Sequence, residues 1–224
     1  RNPIGIYPVH QKDYAVSKLD QLGTPFVYAD SVIETALHNP NMIVHTVGAV
    51  MSIPRIEATG GDYCMYHEAF TPSAWKILEA LDQEKMNILE HLGLEPVPYV
   101  EMCKYRNSLD DESDAKEVFF AYAAMPERAK GPTSVNSRYI TEDIPQGLVL
   151  MESLGHVLDI PVPVCTSLIE IASAALGTDF RAGGRTLERL NELYAVTDQV
   201  GFKMTERLDG RLILPEAVKC LKMK

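Results

Sequence analysis

Long apolar runs are absent. None reaches the roughly 18 residues of a membrane-spanning helix, and the first residues lack the form of a signal peptide. Neither a membrane-embedded nor a secreted protein is expected. Positive charge is also scarce: 21 Lys and Arg stand against 31 Asp and Glu, a formal charge of -10. That balance opposes broad attraction to nucleic acid or to anionic lipid, while leaving room for a local basic pocket. The four cysteines, Cys64, Cys103, Cys165 and Cys220, show no CxxC spacing and read as mostly buried, reduced thiols of a cytoplasmic protein. There is no HExxH, and His10, His38, His67, His91 and His156 are scattered, so no metal site is expected. Gly60-Gly61 and Gly183-Gly184 have neither the preceding strand nor the GxGxxG spacing of a dinucleotide turn.

What is present is apolar periodicity. At 224 residues and 46% hydrophobic content, the chain can build one substantial core, or a smaller body attached to a larger domain. It starts at Arg1, which leads us to expect a piece of a longer protein. Ile4 to Val9 and "TPFVYA" suggest strands around a short helix in "KDYAVSKLDQLG", the tail of an α/β layer; an irregular arm packed on a helical body is the alternative. From about residue 31 the pattern is helical. "DSVIETALHN" is a short helix capped by Asp30 or Ser31. Asn39 as cap and Pro40 in the first turn predict a helix over 40–50. "TPSAWKILEALDQEKMNILEHLG" is the clearest helix, capped by Thr71 and stopped by Gly93, with Trp75, Leu78, Leu81 or Asp82, Met86 and Leu89 as its apolar stripe. "DDESD" reads as an exposed turn or helix start, and "SRYITED" as a loop leading into a helix from about Pro145. "CTSLIEIASAALG" and "GRTLERLNELYAVTDQVG" read as two further helices.

Asn41 and His45 are one helical turn apart on an apolar helix, where buried polar groups need partners. They read either as a helix-start residue and a core histidine satisfied by the backbone, or as half of a site. Arg138, Glu142 and Asp143 supply the complement. A carboxylate beside an imidazole fixes its tautomer and favours its charged form, making it able to exchange a proton with an oxygen, and an arginine is a fork for a substrate carboxylate. A surface salt bridge is the plainer reading of that stretch. Tyr63, Tyr66 and His67 either line a pocket or pack a turn. Arg185 stands at a predicted helix start, with Thr186 as its ordinary cap.

The passages "HNPNMIVHTVGAV", "GDYCMYHEAFTPSAWKILEALDQEK", "RYITEDIPQGLV", "LGHVLDIPVPVCTSLIEIASAALG" and "GRTLERL", in that order, resemble the helical domain of the octopine/nopaline (opine) dehydrogenases. The resemblance runs over about residues 30–190. It implies a mainly α, multi-helix substrate and dimerisation domain, of the kind that ends opine and 6-phosphogluconate dehydrogenases, over residues 31–224. Residues 1–30 would then be the end of a Rossmann dinucleotide domain that is otherwise missing, and the partner in a homodimer would be a second copy. The reaction it implies is NAD(P)H-dependent reduction of the imine formed by an α-keto acid and an amino acid, with NAD or NADP held by the complete enzyme. By the same resemblance His45 and Asp143 are the catalytic pair, and Asn41 and Arg138 bind substrate. Two rival functions are carried: an oxidoreductase of a simple keto or hydroxy acid, and a non-catalytic helical domain that dimerises or binds a small acid.

Overall fold

The computed structural model describes residues 2–108, 110–125, 130–190 and 201–205. β1 (Asn2–Ile4) and β2 (Phe26–Tyr28) pair in parallel, with Ile4 opposite Tyr28, and α1 (Lys12–Leu19) connects them. β1 ends earlier than the apolar run to Val9 predicts, because the chain turns away after Ile4 and Pro8 has no N–H to donate to a ladder.

Local signals then set the helix starts. Ser31 accepts the Glu34 N–H at 3.0 Å to open α2 (Val32–Leu37). Asn39 caps α3 (Pro40–Val50), accepting the Asn41 N–H. The short α4 (Ile53–Thr59) and α5 (Met65–Glu68) follow. Thr71 caps α6 (Pro72–His91). After α7 (Tyr99–Asn107), Asp114 from the acidic run accepts the Glu117 N–H at 2.9 Å and starts α8 (Ala115–Ala123).

Two sequence expectations need correction. Residues 138–144 are not a loop. α9 (Arg138–Thr141) runs through a π-helical turn at Ile144–Leu148 into α10 (Val149–Leu158). Pro145 cannot donate to the Thr141 carbonyl and its ring crowds that position. The helix accommodates this by widening for one turn, with the Val149 N–H reaching back to the Ile144 carbonyl. The second correction falls after α11 (Pro163–Leu176). The predicted helix at "GRTLERL" is instead β3 (Thr186–Leu190), antiparallel to β4 (Gly201–Thr205). A distant partner strand here outweighs a local helical pattern. The remainder of that predicted helix, 191–200, and Cys220 lie outside the described residues.

The centre of the body is α3. Every residue from Met42 to Val50 is buried, as a helix apolar all round requires, and α5, α6, α9 and α11 surround it. The buried face of α6 runs through Lys85 and Ile88, whereas Met86 is only half-buried. Glu84 on the same helix is buried against the start of α11, accepting the Val164 and Cys165 N–H groups at 2.7 and 2.9 Å. Its carboxylate stands in for the side-chain cap that α11 lacks. Burial pushes the Glu84 carboxyl above its ordinary value, while the two N–H donors oppose that. No helix among the described residues is long and apolar enough to cross a membrane.

Arg181, in the turn after α11, ties that helix to α10. It donates to both Glu152 oxygens at 2.6 and 2.7 Å and to Glu170 at 2.7 Å. Its hydrogen bonds, more than its charge, hold the Glu152 carboxyl below the usual value of 4.5. A depressed carboxyl contributes stability that is present above the unfolded value and lost as pH falls through the folded one. Urea midpoints should therefore fall as the pH is lowered beneath about 4.5, and Glu152→Gln should flatten part of that acid limb. An identical limb in the variant would show that this fork contributes nothing to acid sensitivity.

Candidate active site

α3 carries two polar side chains into the core. Thr46 satisfies itself by donating to the Met42 carbonyl at 2.6 Å. His45 cannot reach its own helix backbone with both ring nitrogens, so its partners come from other elements. Nδ1 lies 2.7 Å from Asp143 Oδ2, across 98 residues of sequence. Nε2 lies 3.2 Å from the Tyr66 hydroxyl on α5. The Tyr139 ring, one turn before Asp143, stacks on the imidazole with centroids 3.8 Å apart and planes 2° from parallel. His45 and Asp143 are 8% and 6% exposed.

Two glycines let these elements approach. A Cβ on Gly147, in the π-helical turn, would sit 2.8 Å from Met42 Cγ, and one on Gly48 would sit 2.7 Å from Met65 Sδ. The first closes the Asp143 side onto α3 and the second closes the Tyr66 side.

The hydrogen-bond pattern assigns the roles of the ring nitrogens. An ionised Asp143 only accepts, so Nδ1 carries the proton and donates to it. Nε2 is then the exchangeable position: it accepts from Tyr66 when the ring is neutral and donates when it is charged. A 3.2 Å contact is long for such a bond, and an incoming oxygen can replace it. Beside Asp143 a cavity of about 380 Å³ opens between Asn39, Met42, Glu142, Gln146 and Arg185. It borders Asp143 and not the imidazole itself, so the carboxylate is shared between ring and cavity.

The other sequence candidates are placed differently. Asn41 is half-buried on the first turn of α3, one turn before His45. Arg138 is exposed, with Nη2 3.7 Å from Glu142 Oε1 in a loose i, i+4 pair, rather than at the imidazole. Sequence patterning points to neither Tyr139 nor Gln146, and offers Arg185 only as a residue at a helix start. Tyr139 is four residues before Asp143, a helical pairing hidden as long as that stretch reads as a loop. Tyr66, which the sequence leaves as either pocket lining or turn packing, contacts the imidazole. Arg185 follows Gly184 just before β3, and its N–H donates to the Pro145 carbonyl at 2.8 Å.

Among the described residues, neither Gly-Gly pair makes a dinucleotide-binding turn. Gly60 and Gly61 adopt left-handed conformations at the end of α4 (φ 59° and 88°), and Gly184 packs on Val149. Neither pair forms the strand–GxGxxG–helix turn that cradles a pyrophosphate.

Comparison with known proteins gives a consistent set. The family model described as NAD/NADP octopine/nopaline dehydrogenase, alpha-helical domain, matches residues 28–176. The chain is 30% identical over 185 residues to an opine dehydrogenase of Arthrobacter sp., covering 82% of this chain and 50% of that protein. It is 30% identical over 155 residues to Protein ocs of Agrobacterium tumefaciens, and 30% over 154 residues to a vitopine synthase of Allorhizobium ampelinum; each covers 68% of this chain and 42% of the relative. The chain thus spans half or less of the length of these curated relatives.

Proposed function

From the premise that this chain belongs to the NAD/NADP octopine/nopaline dehydrogenase family, through its alpha-helical domain, we propose that it is the substrate-side catalytic domain of an oxidoreductase joining an α-keto acid to the amino group of an amino acid. In this reading residues 1–30 end a dinucleotide domain, residues 31–224 form the helical domain, and two copies associate. The arrangement that carries the reading is His45 held at Nδ1 by Asp143 with Nε2 turned to an exchangeable hydroxyl.

Held by the complete protein, a nicotinamide would supply the hydride that reduces the imine carbon. This chain's residues handle the protons. His45 Nε2 protonates the carbonyl oxygen as the amine adds, and protonates the hydroxyl of the carbinolamine so that it leaves as water. Between these steps the ring takes back the proton that the amine nitrogen sheds once it has bonded to the carbonyl carbon. Asp143 keeps the ring oriented and offsets the charge that forms on it. Tyr139 holds the ring plane, Asn41 bonds a substrate oxygen, and Arg138 orients a substrate carboxylate from the rim.

The test is product analysis with the complete protein, NADH or NADPH, pyruvate and a panel of amino acids. Amino-acid-dependent cofactor oxidation with a secondary amine product is the expected result. A hydroxy acid formed equally well without amine would establish the simple keto-acid reductase instead, and no oxidation under any condition would favour a binding or dimerisation domain.

A further inference from the structure

We propose that the cavity between the end of β1, Arg106 and Arg185 is an oxyanion site, taking the carboxylate or phosphate end of a small ligand. The cavity has a volume of about 480 Å³, within the range that holds small molecules. Four separate segments wall it: the end of β1, α2 with the His38–Asn39 junction, Arg106 from the last turn of α7, and Arg185 ahead of β3. In a chain of net charge -10, this wall carries two arginines and, among the described residues, no Asp or Glu. Arg106 makes no ion pair among the described residues, whereas Arg55, Arg138 and Arg181 each pair with a glutamate.

The surroundings sharpen the sign of the site. A second cavity that shares Thr35 and His38 is lined by Glu34, Glu95, Glu101 and Asp111 against one cation, Lys104, so an anion is favoured on the arginine side. Arg185, Ala36 and Asn39 are common to the oxyanion cavity and to the cavity that borders Asp143. A ligand anchored by its anionic end between the two guanidinium groups therefore extends past Asn39 toward Asp143, the carboxylate that holds His45. Arginine suits this task because its planar fork pairs with two oxygens at once. The backbone of Arg185 is anchored to Pro145, so the fork departs from a fixed point. The same chemistry serves two sources, the carboxylate of a keto or amino acid and a phosphate of a dinucleotide.

The test needs no turnover. The 224-residue chain is titrated with pyruvate and, separately, with inorganic phosphate at low salt, following the arginine side-chain N–H resonances. Saturable shifts of Arg106 and Arg185 are expected with at least one probe, with affinity on the order of ten-fold weaker in Arg106→Gln and in Arg185→Gln. Preference for pyruvate assigns the site to a substrate acid, and preference for phosphate assigns it to a cofactor. Chloride reproducing the shifts at the same concentrations, or both variants binding like the unchanged chain, overturns the proposal. Arg106 is exposed, so its variant should keep the thermal midpoint. His45→Ala should still bind the anion, which separates failure here from failure of the proton-transfer reading.

Discussion

Replacing His45 by alanine in the complete protein should lower kcat by about 10²–10⁴-fold, the usual contribution of a positioned acid-base group, while leaving nucleotide affinity unchanged. The imidazole touches Asp143, Tyr66 and Tyr139, so in the proposed mechanism its loss removes proton handling and little else. Asp143→Asn should fall by a comparable factor. An amide can donate to Nδ1, which lets the proton reside on Nε2 and spoils the tautomer. Because the two act as a unit, the double variant should be no worse than the poorer single one. Tyr66→Phe keeps the ring packing and removes only the hydroxyl, so its smaller loss measures what that hydroxyl contributes at Nε2. A loss below ten-fold in His45→Ala, with the fold intact by thermal denaturation, would leave this histidine a packed core residue. Equal losses of turnover and nucleotide affinity would point to a collapsed domain instead.

Asp82→Ala should destabilise the domain by about 3–5 kcal/mol, because it strands a buried ammonium. Lys85 is only 1% exposed and lies 2.6 Å from Asp82 Oδ1, with its remaining reach spent on the Val97 carbonyl at 2.9 Å. Burial drives the Lys85 ammonium below its ordinary value and Asp82 opposes that. Asp82 also accepts the Tyr99 N–H at 2.7 Å, at the first residue of α7. Its removal therefore unties α6 from α7 as well as exposing the charge. For a chain of this size the loss corresponds to a fall in Tm on the order of 10 °C. Asp82→Leu combined with Lys85→Met should recover part of it, since no buried charge remains, but not the Tyr99 and Val97 bonds. An unfolding free energy from urea titration lowered by less than about 1 kcal/mol in Asp82→Ala would mean that the pair is solvated, as surface pairs are.

This buried pair also shows where periodicity misleads. The apolar pattern of α6 points to Met86, yet Lys85 sits deeper. A charged residue looks like a surface residue until its partners three residues back and across the core are known. The site divides in a similar way. Asn39, Pro40 and the apolar run place His45 on a buried helix from sequence alone. Family resemblance pairs it with Asp143, but no spacing in the chain says that the two touch. Reading "SRYITED" as a loop concealed Tyr139, because Pro145 normally marks a helix start and here is absorbed by a widened turn.

By itself the sequence determined the helices that have their own caps: Ser31, Asn39, Thr71 and Asp114 each accept an N–H from within the next three residues, and such bonds need no distant partner. It also determined the mainly helical character and, through the order of its motifs, the family. Only the tertiary structure decided which groups surround the imidazole, why α11 starts where Glu84 meets it, that 186–190 is a strand, and that two arginines face one cavity. Those outcomes depend on contacts between residues tens of positions apart, whose strength comes from desolvation and close packing, and neither is written in local spacing.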